Sequence, residues 1–262
     1  MVRRPLKVWP LSDLHVELDR NWELPSPPPE FDVAIIAGNV ITSMDRGVKW
    51  LSERLGGKPA IYVPGDREPF GADIDRTIAE ARAAATGTNI RILQNEVCVV
   101  GGVRFAGCTL WSNFDLFGQP DAAMAAAGEQ VADYKEIRKD TRRLRPYDTL
   151  LRHRDSCSYL ASTLTDGFRG DSVVVTHFPP LRLPPCERHS GIIDGDKADI
   201  LDACDQSDLA LLIAFTGPKL WLFGHVQRSV DVTMGETRLV ANPRGHPGEL
   251  NRNFDPHLTI EI

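Results

Sequence analysis

No apolar run in this sequence approaches the roughly 18 residues that span a bilayer, which excludes a transmembrane reading. A Cys-x-x-Cys pair is also missing. The five cysteines (Cys98, Cys108, Cys157, Cys186 and Cys204) are odd in number and scattered. That excludes a disulfide-stapled scaffold and points to reduced thiols in a cytoplasmic protein. Excess positive charge is lacking. A formal net charge of −6 argues against a chain whose whole surface binds nucleic acid or an anionic membrane. Neither G-x-x-x-x-G-K-[S/T] nor G-x-G-x-x-G occurs, so no nucleotide handle is offered. There is no internal repeat, and the one proline-rich stretch, LPSPPPEF at 24–31, is short enough for a loop rather than a linker. At the start, MVRRPLKVWPLSDLH sets two arginines before apolar residues. Lys7 and Pro10 break that run, so it reads as folded chain and not as a leader.

What is present suits an α/β protein. With 262 residues, 42% hydrophobic and 25% charged, the chain reads as one domain over 1–262. Leu6–Leu11, Val33–Ala37, Ala60–Val63, Val173–Thr176 and Leu220–Phe223 are near-continuous apolar runs, as expected of strands buried on both faces. Helical patterns over Asp45–Leu55, stopped by Gly56-Gly57, and over Asp73–Ala85 separate the early runs, which implies parallel strands with crossover helices. Val97–Val100 and Val103–Ala106 around Gly101-Gly102 predict a hairpin. Ser229–Thr233, Thr237–Ala241 and His257–Ile262 predict closing strands in an antiparallel meander. Residues 121–165 read as mostly helical. In that stretch Lys135, Arg138, Lys139, Arg142 and Arg143 recur at helical spacing, with Arg145, Arg152 and Arg154 behind them. This basic stretch, 135–154, is a phosphate-backbone patch or a solvated face diluted by Glu136, Asp140 and Asp148.

The chemistry gathers at strand ends. The first apolar run ends in SDLHVE (Asp13, His15), the second in AGN (Asn39) and the third in PGDRE (Asp66, Arg67). The last two end in THF (His177) and GHVQ (His225, Gln227). Open α/β sheets place their sites at carboxyl ends of strands. Asp with His suits divalent transition metals.

In this order and spacing, SDLH…AGN…PGDRE…THFPP…GHVQ resembles the calcineurin-like metallophosphoesterase superfamily, whose pattern is DxH…GD…GNH(E/D)…H…GHxH. The resemblance runs over nearly the whole chain. TLWSNFDLFG (109–118) and NPRG (242–245) resemble segments of one bacterial branch. It implies a four-layer α/β/β/α sandwich around two mixed sheets. It also implies a two-metal site: Asp13, His15, Asn39 and Gln227 at the first metal, and Asn39, Asp66, His177 and His225 at the second. Arg67 stands where that family has a histidine assisting the leaving group. Four site positions depart from the pattern: Asn39 for Asp, Asp66 for Asn, Arg67 for His and Gln227 for His.

Those departures have an electrostatic consequence. Two divalent ions about 4 Å apart repel by roughly 16 kcal/mol at an effective dielectric near 20. A bridging carboxylate offsets much of this, whereas the Asn39 amide is neutral. Asp66, His177 and His225 remain a two-His-one-carboxylate set, suited to at most one Mn²⁺, Zn²⁺ or Fe²⁺. In one reading this single-metal remnant still hydrolyses phosphoric esters weakly, with Arg67 clamping phosphate. In the other, Arg67 folds into the metal space and pairs with Asp13 or Asp66. The protein is then an inactive scaffold for a phosphate-containing ligand or a protein partner.

Lesser candidates surround this set. Arg244 in NPRG either reaches a substrate phosphate or packs under the site. Glu17 either orients His15 or lies on a surface loop. His246 and His189 are loop histidines, His246 a candidate proton donor. Asn113 is a candidate lining residue, Asn95 has no distinguishing feature, and Cys108 reads as a small buried hydrophobe.

Overall fold

The computed structural model describes residues 4–184 and 195–262, the side chains of 195–199 excepted. Strands and helices alternate through the first half: β1 (Lys7–Leu11), β2 (Val33–Ile36), α1 (Met44–Arg54), β3 (Ala60–Tyr62), α2 (Ile74–Ala85) and β4 (Ile90–Ile92). Next come β5 (Glu96–Val100), β6 (Val103–Cys108), α3 (Pro120–Gln130), α4 (Asp133–Glu136), β7 (Arg138–Lys139), β8 (Arg142–Arg143) and α5 (Pro146–Leu164). The chain closes with β9 (Ser172–Thr176), α6 (Gly195–Asp205), α7 (Ala210–Thr216), β10 (Leu220–Phe223), β11 (Val230–Met234), β12 (Thr237–Ala241) and β13 (Ile260–Glu261).

Two large mixed sheets carry the structure. One has the order β13-β1-β2-β3-β4, and the other β11-β12-β10-β9-β6-β5. In the first, β1 to β4 are parallel and β13 is antiparallel to β1. In the second, β6, β9, β10 and β12 are parallel, with antiparallel hairpin partners at both edges. The expected closing meander is therefore corrected. Thr237–Ala241 runs parallel to Leu220–Phe223, and the last strand, shortened to Ile260–Glu261, joins the first sheet.

Period-2 alternation sorts the side chains into layers. Val33 and Ile35 face the second sheet's Phe105, Val173, Val175 and Leu222. Ala34 and Ile36 turn outward against Met44, Val48 and Leu51 of α1 and Ala81 of α2. On the far side, Ala106, Val174, Trp221 and Leu239 pack with residues of α3, α5, α6 and α7. Both faces of each sheet are covered, which is why these strands read as continuous apolar runs. The result is α/β/β/α.

Local signals explain the boundaries. Asp73 caps α2, its carboxylate accepting from the Asp75 and Arg76 N–H groups at 3.0 and 2.9 Å. Past α1, Gly56 and Gly57 take the left-handed conformation that ends helices. The basic stretch, however, is not one helix. Lys135 lies on the four-residue α4, Arg138 to Arg143 form the β7–β8 ribbon, and α5 begins only at Pro146. Lys139 and Arg142 both pair with Asp148, and Arg152 with Asp75. Three of the eight basic side chains are thus matched locally.

Candidate metal centre

Every residue of the site sits just beyond the carboxyl end of a parallel strand: Asp13 and His15 after β1, Asn39 after β2, Asp66 and Arg67 after β3, His177 after β9, and His225 after β10. These turns are strained. Asp13, His15, Asn39 and His225 have φ of 52°, 47°, 58° and 66°, left-handed values that cost non-glycine residues free energy and cluster at functional sites. Glycine makes the close approach possible. A Cβ on Gly38 would lie 2.3 Å from His177 Nδ1, and one on Gly65 would lie 2.3 Å from Asn39 Oδ1.

The ligand atoms of Asp66, His177 and His225 lie within 4.8 Å of one another, all three residues buried. Asp66 Oδ1 is 2.7 Å from His177 Nε2 and 3.4 Å from His225 Nδ1. The far nitrogens are engaged as metal-binding histidines require. His177 Nδ1 donates to the Ala37 carbonyl at 2.7 Å, and His225 Nε2 is 3.2 Å from Asp205 Oδ1. Phe178 stacks on the His225 ring at 4.1 Å. This set fits one divalent ion with open positions, and it is the only such group among the described residues.

The three side chains shift one another's ionisation. Burial alone would raise the Asp66 pKa, but the His225 charge and hydrogen bonds from both histidines hold it well below the usual carboxylate range. Burial disfavours charged His225, yet Asp66 and Asp205 outweigh it and push its pKa up to about 10. His177 is raised against its burial by the Asp66 hydrogen bond.

Asn39 occupies the centre. Its Nδ2 reaches Asp13 Oδ1 at 3.2 Å, Asp66 Oδ1 at 2.8 Å and His177 Nε2 at 3.2 Å. Its Oδ1 accepts the Arg67 N–H at 3.0 Å. That backbone donor sets the orientation of the amide, because Oδ1 is the amide's only acceptor. The amide therefore points its donors, not its oxygen, at the two carboxylates.

The first-metal residues line one cavity and are engaged in other contacts. Asp13 accepts from Asn39 and, at 2.9 Å, from the His225 N–H. His15 is buried with Nδ1 lacking a hydrogen-bond partner, 3.8 Å from Glu17 Oε1. Burial opposes ionisation of Glu17, but the interaction with His15 leaves its pKa lowered. Gln227 turns its Oε1 to the His246 N–H at 3.3 Å. Each of the two amide oxygens thus has one lone pair taken by a backbone N–H.

Arg67 pairs with Asp66 from the cavity wall. Its Nε is 3.7 Å from Asp66 Oδ2, its guanidinium lies over the Phe70 ring at 4.9 Å, and about a third of the side chain is exposed. Arg67 lines a cavity of about 450 Å³ together with Asp13, His15, Asn39, Asp66, His225, Gln227 and His246. Arg244 is corrected to a packing role. It is buried, donates to the Leu14 carbonyl, pairs with Asp19 and lies over Trp22, outside the lining of that cavity. Asn113 is also outside the lining and caps a turn by accepting the Asp115 N–H. The Asn95 side chain accepts from Ser156. Cys108 is a buried thiol that burial pushes up to about 12. His189 and Cys186 lie outside the described residues.

Three carboxylates went unnoticed in the sequence. Glu68 is fully buried and accepts from the Val40 N–H, the Gly65 N–H and the Tyr62 hydroxyl at 3.0, 2.9 and 2.6 Å. It ties the loops after β2 and β3 together, and burial raises its pKa. Its place directly after Asp66-Arg67 was the available signal. Asp205 and Asp133 come from the helical layer and carry none. Burial, then the charge of Asp66, raises the Asp133 pKa well above the usual range.

No family model matches the chain. An uncharacterized protein of Acanthamoeba polyphaga mimivirus is 22% identical over 283 residues, covering 96% of this chain and 95% of that protein. Among solved structures, phosphopantetheinyl hydrolase from Mycobacterium tuberculosis superposes with a TM-score of 0.69 at 16% identity, covering 100% of this chain and 97% of the other. The fold is that of the calcineurin-like metallophosphoesterases. A dimetal phosphatase from Danio rerio is more distant, with a TM-score of 0.50 and 10% identity over 91% and 87% of the two chains. On this fold Asp66, His177 and His225 come together, while Asn39 bonds to Asp13 and Gln227 meets the His246 N–H. No helix among the described residues is long and apolar enough to cross a membrane.

Proposed function

We propose that this protein is a single-ion metallophosphoesterase-like protein that takes a phosphoric ester in the cavity above Asp66, His177 and His225. The observation that carries this reading is the convergence of those three buried ligands, with the far nitrogens of both histidines already engaged. Bound there, a Mn²⁺, Zn²⁺ or Fe²⁺ ion supplies Lewis-acid polarisation of a phosphoryl oxygen. Ala37 and Asp205 hold the two imidazoles in place. Arg67, on the cavity wall, presents a fork of N–H donors to the ester's phosphate oxygens. Always charged at neutral pH, it has no proton to give the leaving group, so hydrolysis is expected to be slow.

A specific observation favours a second reading, an inactive phosphate-binding scaffold. Without any ion the carboxylates are already partnered, because the Asn39 amide bridges Asp13 and Asp66 and both imidazoles, their pKa values raised, face Asp66. Elemental analysis after incubation with Mn²⁺ or Zn²⁺ and desalting tests the ion. About one per chain supports the first reading, none leaves the scaffold, and two refute the argument about Asn39. Turnover of a phosphodiester probe with added Mn²⁺, abolished in His177→Ala, separates a slow enzyme from a binder. A phosphopantetheinyl ester belongs in that screen because of the fold neighbour's activity.

A further inference from the structure

A loop that lines the cavity through His246 to Glu249 has its own fastenings. The Arg244 N–H donates to Ser12 O at 3.0 Å and the Gly245 N–H to Asp13 O at 3.2 Å, tying the loop to the strand end that carries Asp13. The Asn251 side chain donates to Pro243 O and Ser229 Oγ at 2.8 and 2.9 Å, and the Glu249 N–H closes a turn onto His246 O at 2.8 Å. Gly245, at φ 92°, has no side chain to keep Gln227 Oε1 away; a Cβ there would lie 3.3 Å from that oxygen and 2.9 Å from Glu249 O. Through this gap Gln227 Oε1 accepts the His246 N–H. His246 Nδ1 is 2.9 Å from the Pro247 carbonyl. A carbonyl only accepts, so Nδ1 carries the proton and Nε2 is left as an acceptor, able to take a hydrogen bond from a phosphate hydroxyl.

We infer that Gln227 is a positioning residue that holds His246 against the cavity, and that the His246 imidazole accepts at Nε2 from a hydroxyl of a phosphate group bound in the cavity that Arg67 also lines. The inference rests on the phosphoester reading and deepens it. The residue expected to bind a metal from sequence position orients a loop instead. The His246 N–H takes up one of the two lone pairs of Gln227 Oε1 and leaves only the other for an ion. Arg67 and His246 line the same cavity, and the His246 ring packs at 5.5 Å from that of buried His15.

The test is calorimetric, on the full chain. Mn²⁺ is titrated into wild type, His246→Ala and Gln227→Met, and inorganic phosphate is then titrated into each Mn²⁺-supplemented protein. Circular dichroism confirms that both variants fold. The expected result is unchanged Mn²⁺ affinity in both, with phosphate affinity down about tenfold in His246→Ala and about threefold in Gln227→Met, the range of one lost hydrogen bond. Weaker Mn²⁺ binding in Gln227→Met would make Gln227 a ligand and overturn the inference. So would unchanged phosphate affinity in His246→Ala. Wild type taking up no Mn²⁺ overturns the single-ion reading alone. The same phosphate comparison on metal-free protein then decides the loop, and phosphate binding in no form overturns it as well.

Discussion

The two metal positions of this fold sit side by side and have been treated differently by the sequence. At one, Asp66, His177 and His225 converge within 4.8 Å, and a backbone carbonyl and Asp205 engage their outer nitrogens. At the other, Asp13 is occupied by donors, and the two amides meant to ligate, Asn39 and Gln227, give their oxygens to backbone N–H groups. On the proposed single-ion reading, the difference is how a dinuclear site would be dismantled without collapse. A neutral amide that donates to two carboxylates does part of the work of a cation, and it does so within hydrogen-bond distance of both.

The strongest way to break this comparison is Asp66→Ala. It removes the anion facing two imidazoles held above their usual pKa, and it takes the carboxylate out of the triad. Metal uptake is expected to fall from about one ion to none by elemental analysis. The metal-free protein should lose about 3 kcal/mol in urea unfolding, the cost of breaking a buried pair. Retained uptake would move the ion to the other position.

Asn39→Asp should narrow the gap between the two positions. The new carboxylate keeps an oxygen for the Arg67 N–H but loses the donors to Asp13 and Asp66 and adds a third negative charge. The metal-free variant should be about 2 kcal/mol less stable than wild type. With Mn²⁺ present the loss should be recovered, and a second ion should appear in the stoichiometry. One ion in the variant would mean that Gln227 and the loop, not Asn39, close the first position.

Glu68→Gln probes what both positions share. One of the Gln side chain's two terminal atoms is an amide nitrogen, so it cannot accept from Val40, Gly65 and Tyr62 as Glu68 does. A loss of about 1.5 kcal/mol in unfolding free energy is expected, with metal affinity also reduced because the loop carrying Asp66 loosens. Stability equal to wild type would remove Glu68 from this role.

The gentlest test changes no residue. His225 titrates at about 10 in the fold, against about 6.5 in an unfolded chain, and His177 is also raised. The folded state therefore binds more protons across that interval. The histidine contribution in metal-free protein is complete below about pH 6.5 and is lost as pH rises toward 10. Asp66, with its depressed pKa, contributes above about pH 4 and loses its share on acidification. The urea midpoint of metal-free protein should fall from pH 6.5 to pH 9, and Mn²⁺ should reverse that fall, since ligation needs neutral imidazoles. A flat midpoint would show that the imidazoles are uncharged.

Much of this was legible beforehand, for identifiable reasons. Strands buried on both faces must be apolar throughout, so β2, β3, β9 and β10 stand out, and the residues after them name the site. The path of Thr237–Ala241 was not legible, because hairpin spacing after β11 says nothing about the parallel partner on its other side. Nor was the break in the basic stretch, where Arg138 to Arg143 keep a helical charge spacing while forming a two-strand ribbon. Arg244 shows the same limit, since a loop arginine that clamps phosphate and one that pairs with Asp19 look alike in one dimension.

By itself the sequence determined which residue types stand at each strand end, and with them the fold and the loss of one bridging carboxylate. Only the tertiary structure decided which way two amides point. Asn39 and Gln227 each carry an oxygen and a nitrogen on one side chain, and the choice between ligand and hydrogen-bond donor is made by whichever backbone N–H lies nearest. Here those are the N–H groups of Arg67 and His246, 28 and 19 residues away along the chain. They are brought into reach by loops packing at the ends of two sheets.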